Sequence, residues 1–155
     1  EVQWFAPFNG FTDSTHTVSG AISADYVFKN SLYINGSLLF TSNGIDGSDP
    51  LALASFFSGA PLDAKNLMPT KYNGFLTMSY PITPLLNSSL AVIYGYGPHL
   101  LLINPTVTYS ILENWDLMLT AQLFFSELPE VSNGVVENNY SNLSNSVFLR
   151  LQWSY

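Results

Sequence analysis

Seven stretches of this chain place an apolar residue at every second position, and that period restricts what they can become. Successive side chains of a β-strand point to opposite faces, so such alternation predicts strands with one apolar and one polar face. The first stretch holds Val18, Gly20, Ile22, Ala24, Tyr26 and Phe28, and the second Leu32, Ile34, Gly36, Leu38 and Phe40. Tyr72, Gly74, Leu76, Met78 and Tyr80 form the third; Leu86, Ser88, Leu90, Val92, Tyr94 and Tyr96 form the fourth. Next come Leu101, Ile103, Pro105, Val107, Tyr109 and Ile111, then Trp115, Leu117, Leu119, Ala121, Leu123 and Phe125. The seventh closes the chain as "SVFLRLQWSY", with Val147, Leu149, Leu151, Trp153 and Tyr155 alternating up to the final residue.

None of these positions is charged, and apart from tyrosine hydroxyls and indole nitrogens only Ser88 is polar. The opposite face carries Ser19, Ser23, Asp25, Asn35, Ser37, Thr77, Ser79, Ser89, Thr106, Thr108, Thr120, Gln122, Arg150 and Gln152. Those residues are small, polar and mostly uncharged. A soluble β-sandwich alternates in the same way, but its solvent face is usually rich in Lys and Glu. A membrane barrel inverts the arrangement, turning the apolar face to lipid and the polar face to the lumen. The expected fold is all-β: a transmembrane antiparallel up-and-down β-barrel, or the C-terminal section of one. It has seven or eight strands in a single domain spanning 1–155.

Composition narrows the partners. Charged residues make up 10% of the chain, against roughly 25% in ordinary soluble domains. The longest apolar runs, "LAVIY" and "HLLLI", fall far short of the ~18–20 residues a spanning helix needs. A net charge of −7 with four basic residues disfavours nucleic acid, whose phosphates are met by Lys and Arg. Without cysteine there is neither a disulfide framework nor a thiolate zinc site. The chain starts at Glu1 without Met and with no signal peptide, which reads as a processed or truncated product.

The connections alternate in length. "KNS", "PITPL" and "LEN" are short, whereas 42–71 and 126–142 are long, with "GPH" a brief exception. Membrane barrels keep short turns on the periplasmic side and longer loops outside, and counting back from a periplasmic C-terminus reproduces that parity. Tyr26, Phe28, Tyr72, Tyr80, Tyr94, Tyr96, Trp115, Phe125, Trp153 and Tyr155 gather near the ends of the expected crossings. Tyr and Trp favour headgroup level, where the ring is buried and its polar atom stays wet.

With the crossings placed, "VFLRLQWSY" resembles the C-terminal recognition strand of Gram-negative outer-membrane β-barrel proteins. Tyr155, Trp153, Leu151, Leu149 and Val147 fill its places: a terminal aromatic with apolar residues at alternate positions behind it. "ISADYVFKNSLYINGSLLF", "DAKNLMPTKYNGFLTMSYPITPLLNSSLAVIY" and "PTVTYSILENWDLMLTAQLFF" are similar to the closing section of larger porin-like barrels. The resemblance implies an outer-membrane location and recognition by the barrel-insertion machinery, and it carries no catalytic residue. It implies contact with the bilayer and lipopolysaccharide, and with other barrel strands or envelope subunits. Barrels of that kind are usually more than twice this length.

Seven crossings are an odd number, whereas bacterial single-chain barrels have even counts. "VQWFAPF" supplies an eighth strand if Val2, Trp4, Ala6 and Phe8 face outward, although Pro7 weakens it. The alternative is a wider barrel with further strands upstream. Small eight-stranded barrels fill their interiors with side chains, and the many inward Ser, Thr, Asn and Ala suit a water-facing wall better.

Asp25, Asp116 and Arg150 are the expected lumen charges, all near the periplasmic end. They read either as a charged ring that tunes passage or as a structural interior salt bridge. Asn43, Asp46 and Asp49 lie in "SNGIDGSDPLALASFF", which lacks the calcium-loop pattern and reads as a turn followed by a short helix. Asp49 would cap that helix and Pro50 start it, with "LALASFF" forming a constriction or packing on the rim. His16 and His99 fall in outer connections; Asp13 and Ser14 beside His16 do not by themselves make a nucleophile and an oriented base. The sequons at Asn35, Asn87, Asn139 and Asn142 follow from a Ser- and Asn-rich composition. No enzyme activity, metal or cofactor is expected. The functional expectation is porin-like passive diffusion of small hydrophilic solutes, with a non-conducting structural barrel (a membrane anchor or a subunit of a larger envelope complex) as the alternative.

Overall fold

Alternation becomes one antiparallel sheet. A computed structural model of the chain describes residues 2–5, 17–45, 68–97, 99–132 and 135–154, with side chains from residue 17 to 127 and from 140 onward within those ranges. The strands are β1 (Val2–Phe5), β2 (Thr17–Val27), β3 (Tyr33–Thr41), β4 (Tyr72–Thr83), β5 (Leu86–Gly95), β6 (Leu100–Leu112), β7 (Trp115–Ser132) and β8 (Val135–Trp153). Each pairs with its sequence neighbour, so the spatial order is β1 to β8 without crossover. No ladder joins β8 to β1 among the described residues, and the sheet is not closed.

Three short turns lie along one edge of the sheet. Between β2 and β3, Phe28 N–H donates to Leu32 O (2.8 Å) and Ser31 N–H to Phe28 O (2.9 Å), with Ser31 in the left-handed region at φ 67°. At the β4–β5 turn the Thr83 hydroxyl accepts from Leu86 N–H at 3.0 Å. Ser154 N–H donates to Asn114 O at 2.9 Å, which fastens the end of β8 to the β6–β7 turn. The ladder between β6 and β7 is interrupted around Asn104 and Pro105, as proline has no N–H to give.

The register encodes a slant. One perpendicular row joins Val27, Tyr33, Ser79, Ser89, Thr106, Thr120 and Phe148. The centres of the three short turns lie three, five and seven residues beyond that row, one residue per strand. A rise of about 3.3 Å per residue against a strand spacing of about 4.8 Å makes this a tilt of about 35° if the turns share a plane. Barrel strands tilt by roughly 35–45°.

Burial is inverted relative to a water-soluble protein. Among the described residues Leu100 is the one buried hydrophobic side chain, while Thr17, Thr41, Thr70, Asn73 and Ser126 are buried polar ones. Val107, Tyr109, Ile111 and Leu119 of the apolar face are exposed, whereas Thr106, Thr108, Ser110, Asp116 and Thr120 behind them are half-buried. That is the burial pattern of a sheet curled about its polar side, and the architecture is compatible with a barrel-like fold.

Two expectations change. The segment 126–142 is not a long loop: β7 and β8 continue through it as a hairpin, with Ser132 paired to Val135. Asn133 and Gly134, a dipeptide that is the strongest short hairpin signal a sequence offers, lie outside the described residues. The eighth strand exists, and its register pairs Val2 with Gly20 and Trp4 with Val18. It is four residues long and pairs with β2 over Thr17–Gly20, so no ladder to it continues along Ile22–Val27 among the described residues. Ala6, Phe8, His16, Asp46, Asp49, Pro50, "LALASFF" and Tyr155 lie outside the described residues.

Candidate functional site

The polar face is a set of rows running across the strands. Its hydroxyl row holds Ser79, Ser89, Thr106 and Thr120, and the Thr106 and Thr120 hydroxyls meet at 3.0 Å. Two residues toward the long connections, an amide-rich row contains Asn35, Thr77, Ala91 and Asn104, with Gln122 and Ser146 in register on β7 and β8.

The three charges expected in the lumen share this face but do not form one cluster. Asp116 stands opposite Gln152, one step from the Met118–Arg150 pair, and accepts a hydrogen bond from the Ser110 hydroxyl at 2.6 Å. Asp25 lies on β2, paired with Asn35, five strands from Asp116. Five spacings of about 4.8 Å separate them along the sheet. No ion pair joins Arg150 to either carboxylate among the described residues.

Sequence reasoning passed over a third row. Phe75, Ile93, Leu102 and Phe124 are successive register partners across β4 to β7, bounded by Ser37 and Ser144. All four are half-buried. The signal was present: each is a large apolar residue at a position whose strand parity assigns it to the polar face.

At the long-connection rim a buried polar knot ties the strands. The Thr70 hydroxyl donates to Asn73 Oδ1, and Asn73 Nδ2 donates back to Thr70 O at 2.7 Å. Thr41 N–H reaches Lys71 O (2.9 Å) and Ile45 N–H reaches Pro69 O (2.9 Å), so both ends of the long β3–β4 connection are pinned together. Gly95 packs against Thr70, where any Cβ would collide with the hydroxyl.

His99, expected in an outer connection, sits in the β5–β6 turn with φ 44°. Its Nδ1 lies 2.6 Å from the Tyr94 hydroxyl, and its Nε2 lies 3.7 Å from Glu127 Oε1 on β7. Tyr140 of β8 pairs in register with Glu127 and stacks on Phe125 at 6.0 Å. Partial burial, then the neighbouring Tyr94 and Glu127, push the Tyr140 phenol above its ordinary value. Glu127 and Tyr140 escaped notice because this region read as loop. Trp115 and Trp153 stack at 6.2 Å near the opposite edge. No group of three or more His, Asp or Glu that could hold a metal occurs among the described residues.

Fold and site together define an all-β, up-and-down antiparallel sheet with one lipophilic and one hydroxyl-rich face. No protein-family model matches the chain, and neither a curated protein nor a solved structure is similar to it.

Proposed function

We propose that this chain is part of an integral outer-membrane β-barrel that passes small hydrophilic solutes by passive diffusion. One observation carries the reading: across β6 and β7 the apolar Val107, Tyr109, Ile111 and Leu119 are exposed while the hydroxyls of Thr106, Thr108, Ser110 and Thr120 behind them are half-buried. Apolar positions of β2 and β8 are exposed as well, Ile22 at 71% and Leu149 at 69%. A contiguous apolar surface of that extent is untenable in water and natural in hydrocarbon. The slant of about 35° fits the same environment. The C-terminal alternation fits recognition by the insertion machinery, with Val147, Leu149, Leu151 and Trp153 on one face of β8.

Closure then needs further strands. In hydrocarbon each unpaired backbone group costs several kcal/mol, so spanning sheets are closed. The outer edges of β8 and of Ile22–Val27 would pair with additional strands of a wider barrel. Planar-bilayer recording of the intact protein tests the reading. Discrete channel openings are expected; their absence under every condition would leave the non-conducting structural barrel.

A further inference from the structure

Apolar residues on a wall meant for water need a reason. Phe75, Ile93, Leu102 and Phe124 form an unbroken strip across four strands, about 14 Å wide at the usual strand spacing. The amide-rich row lies two residues away on one side, and the hydroxyl row two residues beyond that. Asp25 at the β2 end is the one charge in these three rows. A hollow of about 290 Å³ sits on the strip's β6–β8 end, walled by Leu102 and Phe124 and by Gln122 and Ser144.

These features select for chemistry. An ion gains nothing from an apolar strip and loses hydration against it. A plain polyol meets its hydrogen bonds in the amide and hydroxyl rows but leaves the strip wet. A molecule with an apolar ring and a neutral hydroxylated part satisfies both, burying the ring against Leu102 and Phe124 while Gln122 and Ser144 meet its polar groups.

We propose that the Phe75–Ile93–Leu102–Phe124 strip, with Gln122 and Ser144, is a binding site for neutral amphipathic solutes that carry an apolar ring and hydroxyl groups. The inference rests on the polar face being the solute path, and it narrows the solute class from hydrophilic to amphipathic.

The test is equilibrium binding to the intact protein folded in detergent micelles, with protein-free micelles as the blank. The probes are 4-nitrophenyl β-glucoside and methyl β-glucoside, which share a sugar and differ in the ring. The aryl glucoside is expected to bind about tenfold more tightly, the order of effect of burying one ring face. Phe124→Ser should bring the two within about twofold, Phe124→Leu should keep most of the preference, and Leu119→Ser on the other face should change nothing. Equal binding of both glucosides, or a preference untouched by Phe124→Ser, would overturn the site. Selective binding without channel activity would retain the site and remove the diffusion reading; channels without selective binding would do the reverse.

Discussion

Leu119 and Thr120 are adjacent in sequence and opposite in environment. Leu119 is paired with Val107 and Leu149 on the apolar face, and Thr120 with Thr106 and Phe148 on the polar face. If the apolar face meets lipid at mid-bilayer, Leu119→Arg should weaken folding into vesicles by about 2–4 kcal/mol. Thr120→Arg should fold with a much smaller penalty and change ion selectivity in bilayer recordings. Equal penalties in a urea titration would show that the faces are misassigned. Tyr140 supplies a second residue-level test, outside the spanning part. Its phenol is raised above the ordinary value, first by burial and then by Tyr94 and Glu127. The neutral form is therefore favoured by folding. Its contribution is fully present below the unfolded phenol value, near pH 10, and is lost as pH rises through the higher folded value. Protease nicking of the β7–β8 hairpin should increase across that alkaline window, and Tyr140→Phe should flatten this part of the profile.

Strands with strict alternation were legible because a buried or lipid-facing surface demands a period of two, and all seven such stretches are strands. The hairpin from 126 to 142 was not, because alternation fades in "SNGVVENNYSNLS" and an Asn- and Ser-rich composition reads as loop. The competing sequence signal is the Asn133–Gly134 dipeptide, since Asn-Gly favours two-residue hairpin turns. Gly134→Val should fray the hairpin from its tip, raising amide exchange across 126–142 while β2 to β6 keep their protection. Unchanged exchange would mean that strand pairing, not the turn, fixes this element. The site was half legible. Parity put Asp25, Asp116 and Arg150 on one face, and the register gives Asp25 the partner Asn35 and Asp116 the partner Gln152, five strands apart. Phe75, Ile93, Leu102 and Phe124 were passed over, although parity alone would have put them on the polar face, and the register aligns them in one row. The Tyr94–His99–Glu127 contacts join two elements remote in sequence, and no local pattern announces them.

The whole molecule is governed by two quantities, slant and closure, and both follow from the ladders. Turn centres slip one residue per strand relative to a perpendicular row from β2 to β7. In a soluble sandwich nothing requires hairpin ends to share a plane. In a bilayer the headgroup layer imposes one, so the slip becomes a fixed tilt of about 35° to the membrane normal. The paired aromatics Trp115 and Trp153 near one edge, and Tyr72 and Tyr96 near the other, suit two such layers. Polarised infrared spectroscopy of the full protein in oriented bilayers measures this angle from the amide dichroism. A mean strand tilt of roughly 35–45° is expected. Strands lying flat on the surface, or dichroism that vanishes because the protein stays in solution, would show that hydrocarbon is not what the apolar face meets. The same sample tests closure by amide exchange. Slow exchange along Ile22–Val27 and the outer edge of β8 is expected once further strands pair with them, whereas rapid exchange at both edges within a tilted, inserted sheet would count against closure by further strands, because an unpaired backbone group facing lipid costs several kcal/mol.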